Sequence, residues 1–151
     1  ADCPALAQAL LIQVSEIDVL TAQHHMQYFS KQLKQRGLLL CISNFGCTNY
    51  DYSKDPFRYL SLLKTYAIKL DHSLLDNLNS DGVRRRQLQS LVTGAEKLAL
   101  RVMVGQIEDM ALVAKLWRLR VFFIQGYCFQ KPQPSPTTVP CLASNLETST
   151  H

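Results

Sequence analysis

Several features that assign a function at once are missing from this sequence. No apolar run approaches the roughly 20 residues that a membrane-spanning helix needs, so we expect no membrane insertion. There is no Gly-rich phosphate loop, and aromatic residues do not alternate with lysine and arginine as on single-strand nucleic-acid surfaces. We therefore expect no DNA or RNA partner. Ser43 lies outside any Gly-x-Ser-x-Gly elbow, which excludes it as a hydrolase nucleophile of that type.

The cysteines form no recognisable framework. There are five, an odd number, and their spacings match no zinc site. They are Cys3, Cys41, Cys47, Cys128 and Cys141. Such a set suits the reducing cytosol better than a disulfide scaffold, so we expect a cytoplasmic protein. Cys41 lies inside an apolar run and is predicted to be a small core residue.

The composition is that of one globular domain. The chain has 151 residues, of which 47% are hydrophobic and 19% charged, and its formal net charge is +4. This length allows a real hydrophobic core. The basic run Arg84–Arg86 fits a solvated helix face better than a phosphate-binding patch. Ala1 is not an initiator methionine and no basic stretch opens the chain, so we expect a fragment boundary there.

Strand-like apolar runs alternate with helical periodicity five times along the chain. This alternation predicts an α/β fold with a parallel sheet and right-handed crossovers. The predicted strands are Leu10–Val14, Leu38–Ile42, Tyr66–Leu70, Leu100–Val104 and Val121–Ile124. Periodicity alone allows either a doubly wound sheet or part of a (β/α) barrel. In the last helix, Val113, Leu116 and Trp117 are predicted to point inward.

The end of the chain changes character. Four prolines stand among serine and threonine residues after Lys131, and few residues there could join a core. We therefore predict a domain over residues 1–131 and an extended or disordered tail over residues 132–151.

Four short segments follow the predicted strands, at their carboxyl ends. They are Ile42–Gly46, Ile68–Asp71, Val104–Glu108 and Gln125–Tyr127. Glu16 follows the first strand in the same way. Doubly wound sheets and (β/α) barrels both place their functional residues at this end of the strands. The sequence therefore predicts one site that draws on all five strand ends.

In order and spacing these segments resemble the signature of EAL domains, the cyclic-di-GMP phosphodiesterase family. The resemblance runs from Leu10 to Pro132 and covers only the later part of an EAL domain. It implies a modified TIM barrel, which needs eight strands and about 250 residues. Five units cannot close such a barrel, so the resemblance implies part of one.

Three positions lack the acids of the family pattern. Ser43 and Asn44 stand where EAL enzymes carry two metal-binding aspartates, and Gly105 stands where they carry the glutamate assigned as general base. Mg²⁺ and Mn²⁺ prefer carboxylate oxygen, which a Ser-Asn pair does not supply. We therefore expect no dinuclear metal site and no phosphodiesterase activity.

Other positions keep the family's residue. Glu16 matches a metal-binding glutamate, Lys69 a lysine that positions the attacking water, Glu108 a loop glutamate and Gln125 a glutamine near the metal site. Tyr127 matches the wall of the nucleotide pocket. The residues expected to bind a nucleotide are Asn44, Lys69, Glu108, Gln125 and Tyr127.

The resemblance implies a catalytically silent EAL-type domain that binds cyclic-di-GMP without metal. The pattern looks most like the FimX type, which implies a bacterial role in type IV pili and twitching motility and a PilZ-type adaptor as partner. A protein-interaction scaffold that binds no nucleotide is the alternative. Upstream domains and a homo-oligomer both remain open.

Overall fold

The computed structural model describes residues 10–46, 57–76, 78 and 81–129. Its strands are β1 (Leu11–Ser15), β2 (Leu39–Phe45), β3 (Ala67–Leu70), β4 (Arg101–Val104) and β5 (Phe123–Ile124). Its α-helices are α1 (Glu16–Thr21), α2 (Gln23–Gln35), α3 (Arg58–Leu62), α4 (Gly82–Lys97) and α5 (Met110–Arg118). A 3₁₀ helix covers His72–Leu74. The predicted tail, residues 132–151, lies outside the described residues.

The strands form one parallel sheet in sequential order, β1-β2-β3-β4-β5. Right-handed crossovers between neighbours in this order place the described helices on one face, as in a (β/α) barrel. The predicted α/β fold with a parallel sheet is confirmed. A doubly wound sheet, which needs a reversal of strand order, is excluded for these five strands.

The two faces of the sheet differ in what they carry. Side chains alternate across a strand, and the register puts Leu40, Ile42, Ile68, Val102 and Val104 in the core beneath the helices. The opposite face includes the exposed residues Gln13, Arg101 and Phe123. The Arg101 guanidinium carbon lies 4.3 Å from the centre of the Tyr66 ring. Polar and aromatic groups therefore occupy the face that a closed barrel would turn inward.

Side-chain caps fix where the helices begin, close to the carboxyl ends of the strands. The Ser15 hydroxyl accepts the Asp18 amide at the start of α1. Asp81 accepts the amides of Val83 and Arg84 at the start of α4, and Asp109 accepts that of Ala111 at α5. Such caps satisfy amides that have no partner within the helix. No helix in the described parts is long and apolar enough to cross a membrane.

One core prediction is wrong. Trp117 is 52% exposed, whereas Val113 and Leu116 are buried as expected. Helix α5 has nine residues and buries only these two, so its apolar face is narrower than the sequence pattern indicates. Cys41 is fully buried, which confirms its assignment to the core.

Candidate functional site

Strand register and side-chain alternation place Ser43, Lys69, Gly105 and Gln125 on a single face of the sheet. Ser15 lies opposite Ser43, and Lys69 lies opposite Met103. Gly105 comes two residues after Met103, so it falls on the same face. Gln125 follows β5 with the same alternation as Phe123, which lies opposite Met103. The carboxyl edge therefore gathers these positions on the face away from the helices.

A β-bulge shapes the edge at the end of β2. The register between β2 and β3 shifts between Ile42 and Phe45, so Ser43 and Asn44 form the irregular step. Asn44 has φ of 52° and is exposed, while Ser43 is half-buried. Asparagine tolerates this left-handed conformation better than most residues. The bulge thus turns the Asn44 side chain out of the sheet at the site.

Gly46 closes the bulge and has a steric reason to be glycine. Its φ is 92°, a conformation that residues with a side chain rarely adopt. A Cβ there would also lie 2.5 Å from Cδ1 of Leu74. The turn after β2 is therefore packed directly against the 3₁₀ helix that follows β3.

Glu16 joins three elements beneath the site. Its side chain is completely buried. One carboxyl oxygen accepts the Gly46 N–H at 2.9 Å, and the other accepts the Tyr59 hydroxyl at 2.7 Å. A buried carboxyl group is costly unless it is hydrogen-bonded, and these bonds meet that need. Glu16 therefore ties the start of α1 to the bulge after β2 and to α3.

The end of the Lys69 side chain lies beside the Gly105 backbone. A Cβ built on Gly105 would come within 2.6 Å of Lys69 Cε and 2.9 Å of its Nζ. The half-buried lysine thus occupies the space of a side chain at position 105. Cys41 lies nearby, where burial raises the pKa of its thiol to about 11 and the Lys69 charge acts in the opposite direction. Cys41 is therefore a neutral thiol at pH 7 and a poor nucleophile.

Ile107 fastens the loop after β4 to the segment after β5. Its N–H donates to the Gln125 carbonyl at 3.1 Å, and its own carbonyl accepts the Cys128 N–H at 3.3 Å. A Cβ on Gly126 would lie 1.8 Å from that carbonyl oxygen. The two loops are therefore in backbone contact, with Ile107 fully buried between them.

The side chains around this fastening face outward. Gln125, Glu108 and Tyr127 are exposed, and Tyr127 keeps 59% of its accessible surface. Glu108 precedes Asp109, the residue that caps α5. The structure thus brings Ser43, Lys69, Gly105 and Gln125 to one face, and leaves Glu108 and Tyr127 on the rim of the same edge.

These residues do not fit a dinuclear metal centre. Ser43 and Asn44 carry no negative charge, Gly105 has no side chain, and both oxygens of Glu16 already accept hydrogen bonds. Within residues 10–46, 57–76, 78 and 81–129, no group of three or more His, Cys, Asp or Glu could hold a metal ion. The edge instead offers an ammonium group, amides and a hydroxyl, which suit an anion.

A family model decides the classification. The model described as "EAL domain" matches residues 4–132. The chain belongs to the EAL family. The TIM-like barrel of this family accounts for the sequential parallel sheet with its helices on one face.

Solved EAL structures agree with the fold. The FimX EAL domain from Pseudomonas aeruginosa bound to c-di-GMP aligns with a TM-score of 0.72 and 28% identity, over 82% of this chain and 48% of that one. A PaMucR phosphodiesterase in complex with c-di-GMP aligns with a TM-score of 0.73 at 22% identity, over 85% of this chain and 50% of that one. The latter likeness supports the fold alone.

A probable phosphodiesterase is also similar to this chain in sequence. The probable cyclic di-GMP phosphodiesterase PdeG of Escherichia coli K12 is 28% identical over 123 residues, 82% of this chain and 23% of PdeG. The EAL chain thus spans about half the length of these two solved chains and less than a quarter of this relative.

Tyr59 is the site residue that sequence reasoning missed. It lies in the short helix α3, 43 positions from Glu16 along the chain. No motif connects the two residues. The available signal was a tyrosine in an apolar helix, since a buried tyrosine hydroxyl needs a hydrogen-bond partner.

Proposed function

We propose that this chain is the later part of an EAL-type receptor that binds cyclic-di-GMP without metal and does not hydrolyse it. The observation that carries the proposal is the placement of Lys69 over Gly105, with Glu16 engaged by Gly46 and Tyr59. This edge retains a cation for phosphate, and its described residues offer no group of carboxylates that could hold a metal ion.

The chemistry of hydrolysis supports the proposal that this chain does not cleave cyclic-di-GMP. Two-metal hydrolases hold the attacking and leaving oxygens between cations about 3.5–4 Å apart. Carboxylate ligands are what hard divalent cations prefer, and Ser43 and Asn44 provide none. A general base contributes roughly 10²–10⁴ in rate, and Gly105 cannot act as one. Each deficit would slow the reaction on its own.

The proposal that the chain binds cyclic-di-GMP rests on its positive charge and its hydrogen-bond donors. A phosphodiester carries one negative charge, which the Lys69 ammonium can meet with a charge-assisted hydrogen bond. The amides of Asn44 and Gln125 can donate to phosphate or guanine, and exposed Tyr127 offers a ring to a base. Glu108, on the rim, can accept from a guanine amino group. The c-di-GMP-bound FimX domain supports this choice of ligand.

The cellular role follows from the FimX likeness, at 28% identity. We propose a cytoplasmic signalling module that controls type IV pili or twitching motility and contacts a PilZ-type adaptor. Upstream domains and a homo-oligomer are compatible with this role.

Calorimetry with cyclic-di-GMP tests the proposal directly. We expect equal affinity in EDTA and in Mg²⁺ or Mn²⁺, and no linear pGpG on chromatography after prolonged incubation. Lys69→Met should weaken binding about tenfold or more, since a charged hydrogen bond is worth about 1.5–3 kcal/mol. Lys97→Met, on the exposed end of α4, is the matched control. Turnover that depends on metal would refute the proposal.

A scaffold without nucleotide binding is the second candidate. It is favoured by exposed aromatic residues around β5: Phe122 is 64% exposed and Phe123 is 48% exposed. No heat with cyclic-di-GMP, together with saturable binding to a PilZ-type adaptor, would favour this candidate over the receptor.

A further inference from the structure

The glycine at position 105 has an unusual reason to be glycine. Gly46 needs its conformation, because its φ is positive, but Gly105 is not among the residues with positive φ. Any residue could adopt the Gly105 backbone. A side chain there would instead meet the flexible end of Lys69, whose Cε would lie 2.6 Å from a Cβ at this position, so the lysine would have to move. Gly105 is buried, and its lack of a side chain leaves the space that the end of Lys69 occupies.

The surroundings of Lys69 suit an anion. Its strand lies between β2, which bears Ser43, and β4, which leads to Gly105, so the ammonium lies centrally on the carboxyl edge. Among the described residues, no carboxylate lies within ion-pair distance of it. Glu16, the buried acid of this edge, accepts from Gly46 and Tyr59. The positive charge is therefore not neutralised by the described part of the protein.

We propose that Gly105 is a specificity-determining residue that seats the Lys69 ammonium as the phosphate-binding cation of a metal-free site. A side chain at position 105 displaces the lysine from this seat, and a carboxylate there also pairs with its charge. A glutamate at position 105, which is assigned as the general base in related enzymes, would thus weaken anion binding in this chain. This inference deepens the proposed function and rests on it.

A double-mutant cycle separates this role from simple packing. Gly105→Ala adds only the Cβ that would displace Lys69, and we expect it to weaken cyclic-di-GMP binding in EDTA by about tenfold to a hundredfold, the range for a charged hydrogen bond. Lys69→Met should have a similar effect. If Gly105 acts through Lys69, the double variant binds no more weakly than Lys69→Met alone. Gly82→Ala, where a Cβ meets nothing within 4 Å, is the control.

Gly105→Glu tests the carboxylate itself. We expect it to bind cyclic-di-GMP more weakly than Gly105→Ala does and to produce no pGpG with Mg²⁺ or Mn²⁺. Binding by Gly105→Glu at the level of the parent chain would overturn the inference.

A measurement without nucleotide distinguishes a failure of the proposed receptor function from a failure of the inference about Gly105. Acetylation of Lys69 by acetic anhydride, followed by mass spectrometry, reports its exposure, with Lys97 as internal reference. We expect faster acetylation of Lys69 in Gly105→Ala than in the parent, and protection by inorganic pyrophosphate in the parent only. Unchanged acetylation, or additive losses in the cycle, would overturn the inference. The parent chain could fail to bind cyclic-di-GMP while pyrophosphate still protects Lys69 from acetylation. That result would refute the proposed cyclic-di-GMP receptor but support the role of Gly105 in positioning the Lys69 ammonium.

Discussion

At the scale of single residues, the site depends on how one buried acid is satisfied. Glu16 has no exposed surface and is held by the Gly46 amide and the Tyr59 hydroxyl. The resemblance to EAL domains implies a metal ligand at this position. In the structure, its local task is to hold the bulge after β2 in place, because burial makes each of those hydrogen bonds necessary.

Removing the Tyr59 hydroxyl should therefore destabilise the fold. We expect Tyr59→Phe to lower the free energy of unfolding by about 1–3 kcal/mol, because it removes a hydrogen bond to a buried carboxyl group. Urea denaturation followed by circular dichroism measures this change. Tyr28→Phe is the matched control, since Tyr28 is 68% exposed. Equal midpoints for the two variants would show that the hydroxyl contributes nothing.

Residue identity was predictable from the sequence where a motif carried it. The sequence predicts Ser43, Lys69, Gly105 and Gln125 at the carboxyl ends of strands, and register with side-chain alternation places them on one face of the sheet. The contact of Lys69 with Gly105 was not predictable, since it depends on a side-chain path between neighbouring strands. Tyr59 was missed for a related reason: the hydrogen bond joins residues 43 positions apart.

At the scale of elements, apolar runs located all five described strands, because a parallel strand buried in a sheet reads as a continuous hydrophobic stretch. The bulge at Ser43 and Asn44 could not be predicted from the sequence, since it arises from pairing with β3 and not from local composition. Trp117 was misplaced because spacing identifies a helix face without giving the width of its buried part.

The fastening of two loops at Ile107 gives a prediction at this scale. Gly126→Ala would place a Cβ 1.8 Å from the Ile107 carbonyl oxygen, so the backbones after β4 and β5 would have to separate. We expect a loss of about 1–3 kcal/mol or more in unfolding free energy, as for an overpacked core. Gly82→Ala, on an open helix end, provides the comparison. A Gly126→Ala variant as stable as the parent would show that these loops can move apart freely.

At the scale of the whole molecule, the five strands of the described residues form one parallel sheet in sequential order. Sequential order leaves β1 and β5 as the edges of the sheet, and the face away from the helices carries exposed Gln13, Arg101 and Phe123. The fold class could be predicted from the alternation of elements. What lies against these edges could not, because the chain spans about half of the EAL structures it matches.

The exposed aromatic residues at strand β5 should promote self-association of the chain. We expect sedimentation to depend on concentration, and we expect Phe123→Lys to raise the dissociation constant about tenfold or more, given about 1.5–3 kcal/mol for burying such a side chain. Leu62→Lys, at a position 61% exposed on α3, serves as the control. A chain that stays monomeric at high concentration would contradict this expectation.

The space that Lys69 occupies beside Gly105 also restricts how a catalytic glutamate could be introduced at position 105. Restoring a glutamate there as a first step would meet the Lys69 side chain before any metal ligand exists to use the new acid. Aspartates at positions 43 and 44 would have to come first, and the lysine would then need a new path. The order of substitutions therefore matters, and an engineer who restores the base alone should obtain a protein that is worse at binding and no better at cleavage.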